Sequence, residues 1–351
     1  MKPGVALKPG ASARLGAAGR VLAVAAVAAL LAAACSDSDE TSTPGSGPTV
    51  LDTTTTTAGT STAEPAAPDD EPRLNQIQVV GSHNSYHVAP DAALYDIVAP
   101  LVTDAGESAE EWLYTHAPLD QQLDRGVRSF ELDTFADPDG GLFLEPQAPV
   151  LFDVPHTPDP ALAEPGWKVL HIQDIDFETT CAALIECLQT IETWSDANPD
   201  HVPIPILIEV KYEPLPEGFD LTPVIEDVDA AVLDTLDAEI RSVFDPDDVI
   251  EPDDVRGDAA SLVEAIESGG WPTVEESLGT VYFVLDNADD IDAAYREGAP
   301  QLEGRVMFTS AGAERPDGAV VKINEPEDGA VICAAVAAGR IVRTRADAGL
   351  I

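Results

Sequence analysis

Polar side chains that could bind a metal or transfer a proton follow two short apolar runs in the chain. His83 and Asn84 come directly after the first run, and the second run ends in Glu131 and Asp133. Side chains alternate between the two faces of a β-strand, so the carboxylates of a Glu-x-Asp sequence lie side by side on one face. These four residues therefore offer an imidazole together with a set of oxygen ligands.

Two further apolar runs end in side chains of the same kinds. His171 ends the third run, and Glu209 and Lys211 end the fourth, again on one face of the predicted strand. A pair of histidines such as His83 and His171 can serve as a general acid and a general base. The pattern therefore indicates acid–base chemistry close to a group of carboxylates.

The carboxylates of Glu131, Asp133 and Glu209 need a positive partner if they converge on one site, because crowding buried negative charges is costly. With the amide oxygen of Asn84 they form an oxygen-only ligand set, which suits Ca²⁺. Mg²⁺ is the alternative. Zn²⁺ is disfavoured because the set has no thiolate and the histidines lack helical ligand spacing. The sequence thus predicts a site for a hard cation.

Strands that alternate with helices must position these residues. From residue 73 onward, eight short β-branched runs are separated by amphipathic segments, which predicts a parallel sheet and a closed (β/α)8 barrel of the TIM type over residues 73–351. Catalytic residues of such barrels lie at the carboxyl ends of the strands. No helical pattern follows the eighth run, so we expect the barrel to be incomplete at its C-terminus. The predicted strands are Ile77–Ser82, Val127–Asp133, Lys168–Ile172, Ile204–Lys211, Thr280–Asp286, Arg305–Thr309, Ala319–Ile323 and Arg340–Arg345.

The N-terminal part of the chain has the layout of an export signal and a tether. Residues 1–34 place basic residues before the apolar run Val21–Ala34, which is shorter than the roughly 20 residues of a membrane-spanning helix. The sequence before Cys35 resembles a lipobox and predicts a lipidated, cell-surface lipoprotein; an ordinary cleaved signal and a secreted protein are the alternative. Residues 35–72, rich in Ser, Thr, Pro and Asp, predict a disordered linker.

The charge of the chain excludes one class of partner. Among 351 residues, 18 Lys or Arg stand against 64 Asp or Glu, giving a formal net charge of −46. Phosphate backbones repel so acidic a protein, so we expect no nucleic-acid partner. Such a surface attracts cations. The charge does not indicate the oligomeric state.

Five segments of the sequence carry a resemblance to a known family. They are IQVVGSHNSYH, LDQQLDRGVRSFELD, KVLHIQD, WSDANPDHVPIPILIEVK and RIVRTRAD. Together they resemble the calcium-dependent, phosphatidylinositol-specific phospholipase C family of bacteria over most of residues 75–347. The resemblance implies a TIM-type barrel, in agreement with the strand pattern.

The resemblance also implies roles for individual residues and a Ca²⁺ cofactor. The implied catalytic residues are His83 and His171, the implied calcium ligands are Asn84, Glu131, Asp133 and Glu209, and the candidate contacts to phosphate or inositol are Lys211 and Arg343.

The implied reaction is the cleavage of phosphatidylinositol at a membrane surface. The inositol 2-hydroxyl attacks the phosphodiester, which releases diacylglycerol and a cyclic inositol phosphate. His171 protonates the leaving oxygen, and the base is either His83 or a ligand carboxylate. One alternative is a glycerophosphodiester phosphodiesterase, although such enzymes typically carry His-Arg-Gly where this chain has His-Asn-Ser. The other is a non-catalytic surface lipoprotein that retains the barrel.

The cysteines of the predicted barrel separate into a pair and a single residue. Cys181 and Cys187 are six residues apart near one predicted helix, and the exported compartment favours a disulfide between them. Cys333 then stays free, and we expect it to be buried in an apolar helix.

The remaining histidines receive no predicted role. His87 follows His83 by four residues, a spacing that aligns side chains only on a helix, so we expect it to lie outside the site. His116 and His156 fall in long loops and are expected to be solvated. His201 precedes the fourth strand and therefore belongs to the opposite end of the sheet.

Overall fold

The computed structural model describes residues 71–346 apart from 106–107, 213–221, 223, 226, 311 and 313. The predicted signal peptide, Cys35 and almost all of the predicted linker lie outside the described residues. The described strands are β1 (Phe130–Asp137), β2 (Gly166–Val169), β3 (Ile204–Val210), β4 (Val281–Leu285), β5 (Met307–Thr309), β6 (Val320–Lys322) and β7 (Ile341–Arg343).

Five of these strands form one sheet in the order β2-β1-β3-β4-β5. Strands β1, β3, β4 and β5 run parallel. Strands β6 and β7 form a second parallel pair, and a parallel bridge between Ser310 and Val320 links this pair to the end of β5. Every residue of β1 and β4 is buried, as expected for parallel strands covered on both faces.

The predicted closed barrel is found only in part. Of the predicted first strand, Ile77–Ser82, the structure contains a single parallel bridge between Gly81 and Ser129. The strand predicted at Lys168–Ile172 is present as β2, but it runs antiparallel to β1. The described residues therefore form a mixed α/β fold in which no barrel closure is detected.

Strand β2 is antiparallel because no crossover helix separates it from β1. Parallel neighbours need a long crossover connection, usually a helix. Between Asp137 and Gly166 the chain forms only a six-residue helix and a short 3-10 turn, and it returns to the edge at which β1 ends. Strand β2 then runs back along β1, from Gly166 opposite Asp137 to Val169 opposite Thr134.

Nine α-helices are described, and several begin at the polar residues that favour helix starts. The Asp229 side chain accepts a hydrogen bond from the Val232 N–H, and the Ser261 hydroxyl accepts one from the Glu264 N–H. The helices are α1 (Ala92–Ala105), α2 (Leu119–Asp124), α3 (Gln147–Phe152), α4 (Leu184–Ala197), α5 (Ala230–Val243), α6 (Pro252–Arg256), α7 (Leu262–Glu267), α8 (Asp289–Tyr295) and α9 (Gly329–Ala337). Short 3-10 helices lie at Leu74–Gln76, Ala109–Trp112, Pro160–Ala163, Pro246–Asp248 and Glu275–Ser277.

The main core lies between the sheet and its helices. Helix α4 buries Leu184, Cys187, Leu188 and Ile191, which recur at the spacing of one helical face. They belong to the same cluster of buried residues as the strand side chains of β1, β3 and β4. Burying one such side chain stabilises the fold by about 1.5–3 kcal/mol. This packing fixes the strands whose carboxyl ends carry the polar residues.

In the part of the chain that the structure describes, no helix has the length and apolar composition of a membrane span.

A disulfide joins Cys181 and Cys187, whose Cα atoms lie 5.3 Å apart. It ties the segment that follows β2 to the first turn of α4. Cys333 is exposed on α9, so the prediction that it is buried was wrong. Helix α9 buries Ala335, half-buries Ile332 and leaves Val331, Cys333 and Val336 exposed, which the uniformly apolar sequence of the helix could not reveal.

Replacing both disulfide cysteines with serine, C181S/C187S, should lower the free energy of unfolding by about 2 kcal/mol, because the crosslink closes a short loop in the unfolded chain. Urea unfolding at constant pH measures the change. C333S is the matched control and should unfold like the wild-type protein. An equal loss in both variants would contradict the prediction.

Candidate active site

The segment that carries His83 and Asn84 is bound to the edge of β1 by hydrogen bonds. The Ser85 N–H donates to the Glu131 carbonyl at 2.9 Å, and the Glu131 N–H donates to the Ser85 hydroxyl at 2.9 Å. Asn84 has a left-handed backbone with φ 43°, which asparagine tolerates better than most residues. The resulting turn sets His83 Nε2 3.3 Å from Glu131 Oε1.

Three residues hold this segment in place: Gly81 and Ser82, which precede the turn, and Gln122 of helix α2. A Cβ atom on Gly81 would lie 2.7 Å from the Cβ of Ser129, so only glycine permits the approach. The amide nitrogen of Gln122 donates to the Ser85 carbonyl at 2.7 Å, and its oxygen accepts from the Ser82 hydroxyl at 2.8 Å. The position of His83 is thereby coupled to the sheet.

Carboxylates from three adjacent strands meet at this edge. Asp133 lies directly opposite Glu209 in the register of β1 and β3. Asp286 follows β4, and its N–H donates to the Ile208 carbonyl at 2.8 Å, which places Asp286 beside Glu209. Carboxylate oxygens of Glu131, Glu209 and Asp286 lie within 4.8 Å of one another. The sequence predicted three of these four carboxylates, and the structure adds Asp286.

Lys211 is engaged by two of the carboxylates. Its Nζ lies 2.6 Å from Glu209 Oε1 and 3.4 Å from Asp133 Oδ2. These contacts raise the pKa of Lys211 above its ordinary value, although burial alone would lower it. Lys211 therefore stays charged and offsets part of the negative charge of the site.

Two cations from β6 and β7 balance the other side of the cluster. Lys322 Nζ lies 2.9 Å from Asp286 Oδ2, and Arg343 Nη2 lies 2.5 Å from Glu131 Oε2. Arg343 also donates to Asn324. Arg343 thus lies in the predicted site, where it contacts a predicted metal ligand.

Burial raises the pKa of Asp133 to about 7; the positive charge of Lys211 opposes this rise, and the carboxylates of Glu209 and Glu131 add to it. A carboxylate that is 1% exposed cannot be hydrated. Without a further cation, the ionised form of Asp133 is therefore unfavourable in the folded protein.

Burial and nearby cations also act on the pKa values of Asp286 and Glu209, but with different results. Burial also raises the pKa of Asp286, to about 6, against the lowering effect of Lys322. Burial acts in the same direction on Glu209, but Lys211, Lys322 and His171 together lower the pKa of Glu209 below its ordinary value. His171 is therefore close enough to act electrostatically on this cluster.

The residues present fit a hard cation. Among the described residues, both carboxylate oxygens of Asp133 and Oδ1 of Asp286 are buried without a hydrogen-bond partner, and only Oδ2 of Asp133 has Lys211 Nζ nearby, at 3.4 Å. Such oxygens are costly unless a positive group reaches them. The set contains oxygen ligands only, as Ca²⁺ prefers. Among the described residues, the carboxylates that lie close enough together to hold one Ca²⁺ are those of Glu131, Glu209 and Asp286. The other two predicted ligands, Asn84 and Asp133, are not part of this group, although Asp133 lies opposite Glu209 in the sheet.

His171 reaches the site from the antiparallel strand β2 rather than from the end of a parallel strand. It comes two residues after Val169, the last residue of β2, which lies opposite Thr134 in the middle of β1. A tight reversal comes next, with two backbone hydrogen bonds between Ile172 and Asp176. This turn brings Asp176 back, and His171 Nδ1 lies 2.7 Å from Asp176 Oδ2.

His87 is connected to His171 through the same carboxylate. His87 Nε2 lies 2.9 and 3.0 Å from the two oxygens of Asp176. Its ring stacks on Tyr114 with the ring centroids 4.2 Å apart, and the residue is fully buried. We expected His87 to lie outside the site, whereas its hydrogen bonds join it to His171.

The other histidines divide between the two ends of the sheet. His116 is half-buried rather than solvated: its Nε2 contacts the His83 carbonyl at 3.0 Å, and burial lowers the pKa of its imidazole. His156 is also half-buried, with its ring edge-on to Phe177. His201 lies at the opposite end, as predicted, where its Nε2 is 2.6 Å from the Ser195 hydroxyl.

Sequence reasoning missed Asp286, Lys322, Asp176 and the connection to His87. Asp286 ends a predicted strand, so the rule that selected Glu131, Asp133 and Glu209 would have found it. Lys322 also lies on a predicted strand. Asp176 follows the third predicted strand, five residues after His171, but the sequence did not reveal the local chain reversal that returns it to the His171 ring.

Glu209→Gln should weaken Ca²⁺ binding by about tenfold or more, because it removes a charged ligand from the cluster. Isothermal titration calorimetry measures the affinity. The matched control is Glu239→Gln on α5, whose carboxylate accepts from the Trp167 and Ile185 N–H groups away from the site. Equal Ca²⁺ affinities in the two variants would refute the assignment.

Asp133→Asn should stabilise the protein in the presence of chelator. Since folding raises the pKa of Asp133 to about 7, ionised Asp133 opposes folding. This penalty is absent below the unfolded pKa of about 4, grows with pH, and is complete above the folded pKa. The variant should be more stable by on the order of 2–4 kcal/mol at pH 8, with the difference approaching zero near pH 4. Urea unfolding across this range measures it; a pH-independent difference would contradict the cause.

Comparison with known proteins identifies the family. The family described as phosphoinositide phospholipase C, Ca²⁺-dependent, matches residues 72–351. A calcium-dependent phosphoinositol-specific phospholipase C from Pseudomonas sp. is structurally similar, with 19% identity, a TM-score of 0.51, and coverage of 81% of this chain and 86% of that chain. The Streptomyces antibioticus enzyme has 21% identity and a TM-score of 0.43 over 71% of this chain and 74% of that chain.

Because the sequence identities are low, these structural similarities concern the fold alone. A comparison with curated proteins gives no match. The family match covers nearly the whole described part of the chain and does not depend on them. It confirms the enzyme class and the calcium dependence predicted from the sequence. This chain belongs to the calcium-dependent phosphoinositide phospholipase C family.

Proposed function

We propose that this protein cleaves phosphatidylinositol to diacylglycerol and a cyclic inositol phosphate. One observation carries the proposal: two histidines, His83 and His171, accompany a cluster of buried carboxylates at one edge of the sheet. Such a site can transfer protons and stabilise charge, but it provides no evident protein nucleophile. The inositol 2-hydroxyl supplies the nucleophile instead.

In the proposed reaction the inositol 2-hydroxyl oxygen forms a bond to phosphorus, and the bond from phosphorus to the glycerol oxygen breaks. His83 accepts the hydroxyl proton, and the neighbouring Glu131 carboxylate, 3.3 Å away, stabilises the resulting imidazolium. His171 donates a proton from Nε2 to the leaving glycerol oxygen, while its Nδ1 stays bonded to Asp176. One well-placed acid or base contributes about 10²- to 10⁴-fold to the rate.

The chemistry that bound Ca²⁺ supplies is neutralisation of charge on the phosphodiester and a lower pKa for a nearby hydroxyl. Lys211 and Arg343 orient the ligand carboxylates through their ion pairs, and their positive charges face the same region as the substrate phosphate in this proposal. Oδ1 of Asp133 and Oδ1 of Asp286, which are buried without a hydrogen-bond partner, support a cation at this position.

The proposed substrate lies in a membrane, which the protein meets from outside the cytoplasm. The export signal over residues 1–34 and the lipobox at Cys35 support a cell-surface lipoprotein, and residues 35–72 would serve as the tether. Cleavage of the signal without lipidation would give a secreted enzyme with the same reaction. Metabolic labelling with a fatty acid, compared with Cys35→Ser, distinguishes the two.

Phosphorus NMR of phosphatidylinositol vesicles tests the reaction directly. With Ca²⁺ the wild-type protein should produce a cyclic inositol phosphate, and chelator should abolish turnover. His171→Ala should lower kcat by about 10²-fold or more, because the leaving oxygen loses its acid. His201→Gln is the control, since His201 is a buried histidine at the other end of the sheet.

Several results would count against the proposal. Turnover that is indifferent to chelation excludes the calcium-dependent reaction. Preferential hydrolysis of glycerophosphoinositol indicates a glycerophosphodiester phosphodiesterase instead. The absence of turnover on both substrates in a Ca²⁺-loaded, folded protein indicates a non-catalytic barrel.

A further inference from the structure

A buried carboxylate links a histidine of the site to a second histidine that the reaction does not use directly. Asp176 accepts from His171 Nδ1 at 2.7 Å, and its two oxygens lie 2.9 and 3.0 Å from His87 Nε2. The other nitrogen of His87 lies 3.1 Å from the Tyr114 carbonyl. The side chains of His87 and Asp176 have no exposed surface.

The partners of His87 determine its protons. A backbone carbonyl and an ionised carboxylate can only accept hydrogen bonds, so a ring that contacts both must donate from both nitrogens. Although burial acts to raise it, the hydrogen bonds from His171 and His87 lower the pKa of Asp176 below its ordinary value. Both ring nitrogens of His87 therefore face acceptors, which is the arrangement that a doubly protonated ring requires.

We propose that His87 is a positioning residue that acts as a buried imidazolium. It holds Asp176 ionised and in a fixed orientation. Asp176 in turn keeps a proton on Nδ1 of His171, so that Nε2 of His171 faces the leaving group. This inference rests on the proposed function, because it assigns the origin of the acid's orientation. A carboxylate with one partner could rotate, whereas the bonds from His87 engage both oxygens of Asp176.

The charge of His87 has a second effect on the site. Asp176 brings a negative charge close to a cluster that is already rich in carboxylates, and the imidazolium cancels it. Loss of the charge on His87 would leave Asp176 to hold the proton of His171 more tightly and to slow its transfer. In the described part of the chain, the other ionisable groups that act on His87, Asp176 or His171 are Tyr86, Tyr114, His116, Glu178 and Glu209.

Comparing two substrates with different leaving groups distinguishes a residue that positions the acid from one that only supports the fold. Diacylglycerol leaves as a poor alkoxide that needs a proton, whereas 4-nitrophenolate leaves without one. His87→Gln and Asp176→Asn should therefore lower kcat on phosphatidylinositol by roughly tenfold to a hundredfold with little change in KM. On 4-nitrophenyl myo-inositol 1-phosphate the same variants should stay within about twofold of wild type.

A matched control and a direct measurement of the protons complete the test. His201→Gln removes a buried histidine that likewise contacts a backbone carbonyl and a side-chain oxygen; it should affect both substrates equally. Nitrogen-15 NMR of the wild-type imidazoles, with no substrate present, should show protons on both nitrogens of His87 and on Nδ1 of His171. This measurement holds even where the variants fold poorly.

Equal losses on both substrates in His87→Gln, or a His87 ring with one unprotonated nitrogen, would overturn the inference. Failure of the proposed function has a different signature: wild-type protein that cleaves neither inositol ester while the NMR pattern is as expected. The two hypotheses are therefore tested separately.

Discussion

Mutual repulsion among the buried carboxylates is the constraint on which the rest of the site depends. Three parallel strands meet at one edge, and each delivers at least one acid: Glu131 and Asp133 lie within β1, Glu209 lies near the end of β3 opposite Asp133, and Asp286 follows β4. Parallel packing gives these side chains little freedom to separate, because the strands beneath them are buried on both faces.

Cations on β6 and β7 and directly after β3 counter this repulsion only in part. Lys211, Lys322 and Arg343 each pair with a carboxylate. Burial nevertheless raises the pKa of Asp133 to about 7, so the pairing leaves a deficit of positive charge at that residue. A site that is costly in the absence of a cation binds one strongly, and some stability of the metal-free protein is exchanged for that affinity.

The β2 edge of the sheet has a different organisation, in which backbone hydrogen bonds place the histidines and Asp176 links two of them. The turn at Asn84 and the reversal at Ile172–Asp176 both place an imidazole by means of backbone bonds. The antiparallel direction of β2 is what allows His171 to be followed at once by a turn that returns Asp176 to its ring. A strand followed by a helix would carry the chain away from the site.

Much of the candidate site could be predicted from the sequence because it depends on local rules. Alternation along a strand sets Glu131 and Asp133 on one face, and the position at a strand end selects Glu209 and His171. The family match confirms the membership that the segments around these residues predicted. Strand direction and barrel closure could not be obtained in this way, since an apolar run has the same composition in either direction.

The sequence by itself determined which side chains are available: two histidines next to oxygen ligands, a large excess of acidic residues, and a cysteine pair close enough in sequence to be joined. Tertiary structure alone decided which of them interact. Asp286 lies beside Glu209 through strand register, and His87 meets His171 through Asp176 across 89 residues of chain. Both contacts connect segments far apart in the sequence, and local periodicity carries no information about such distances.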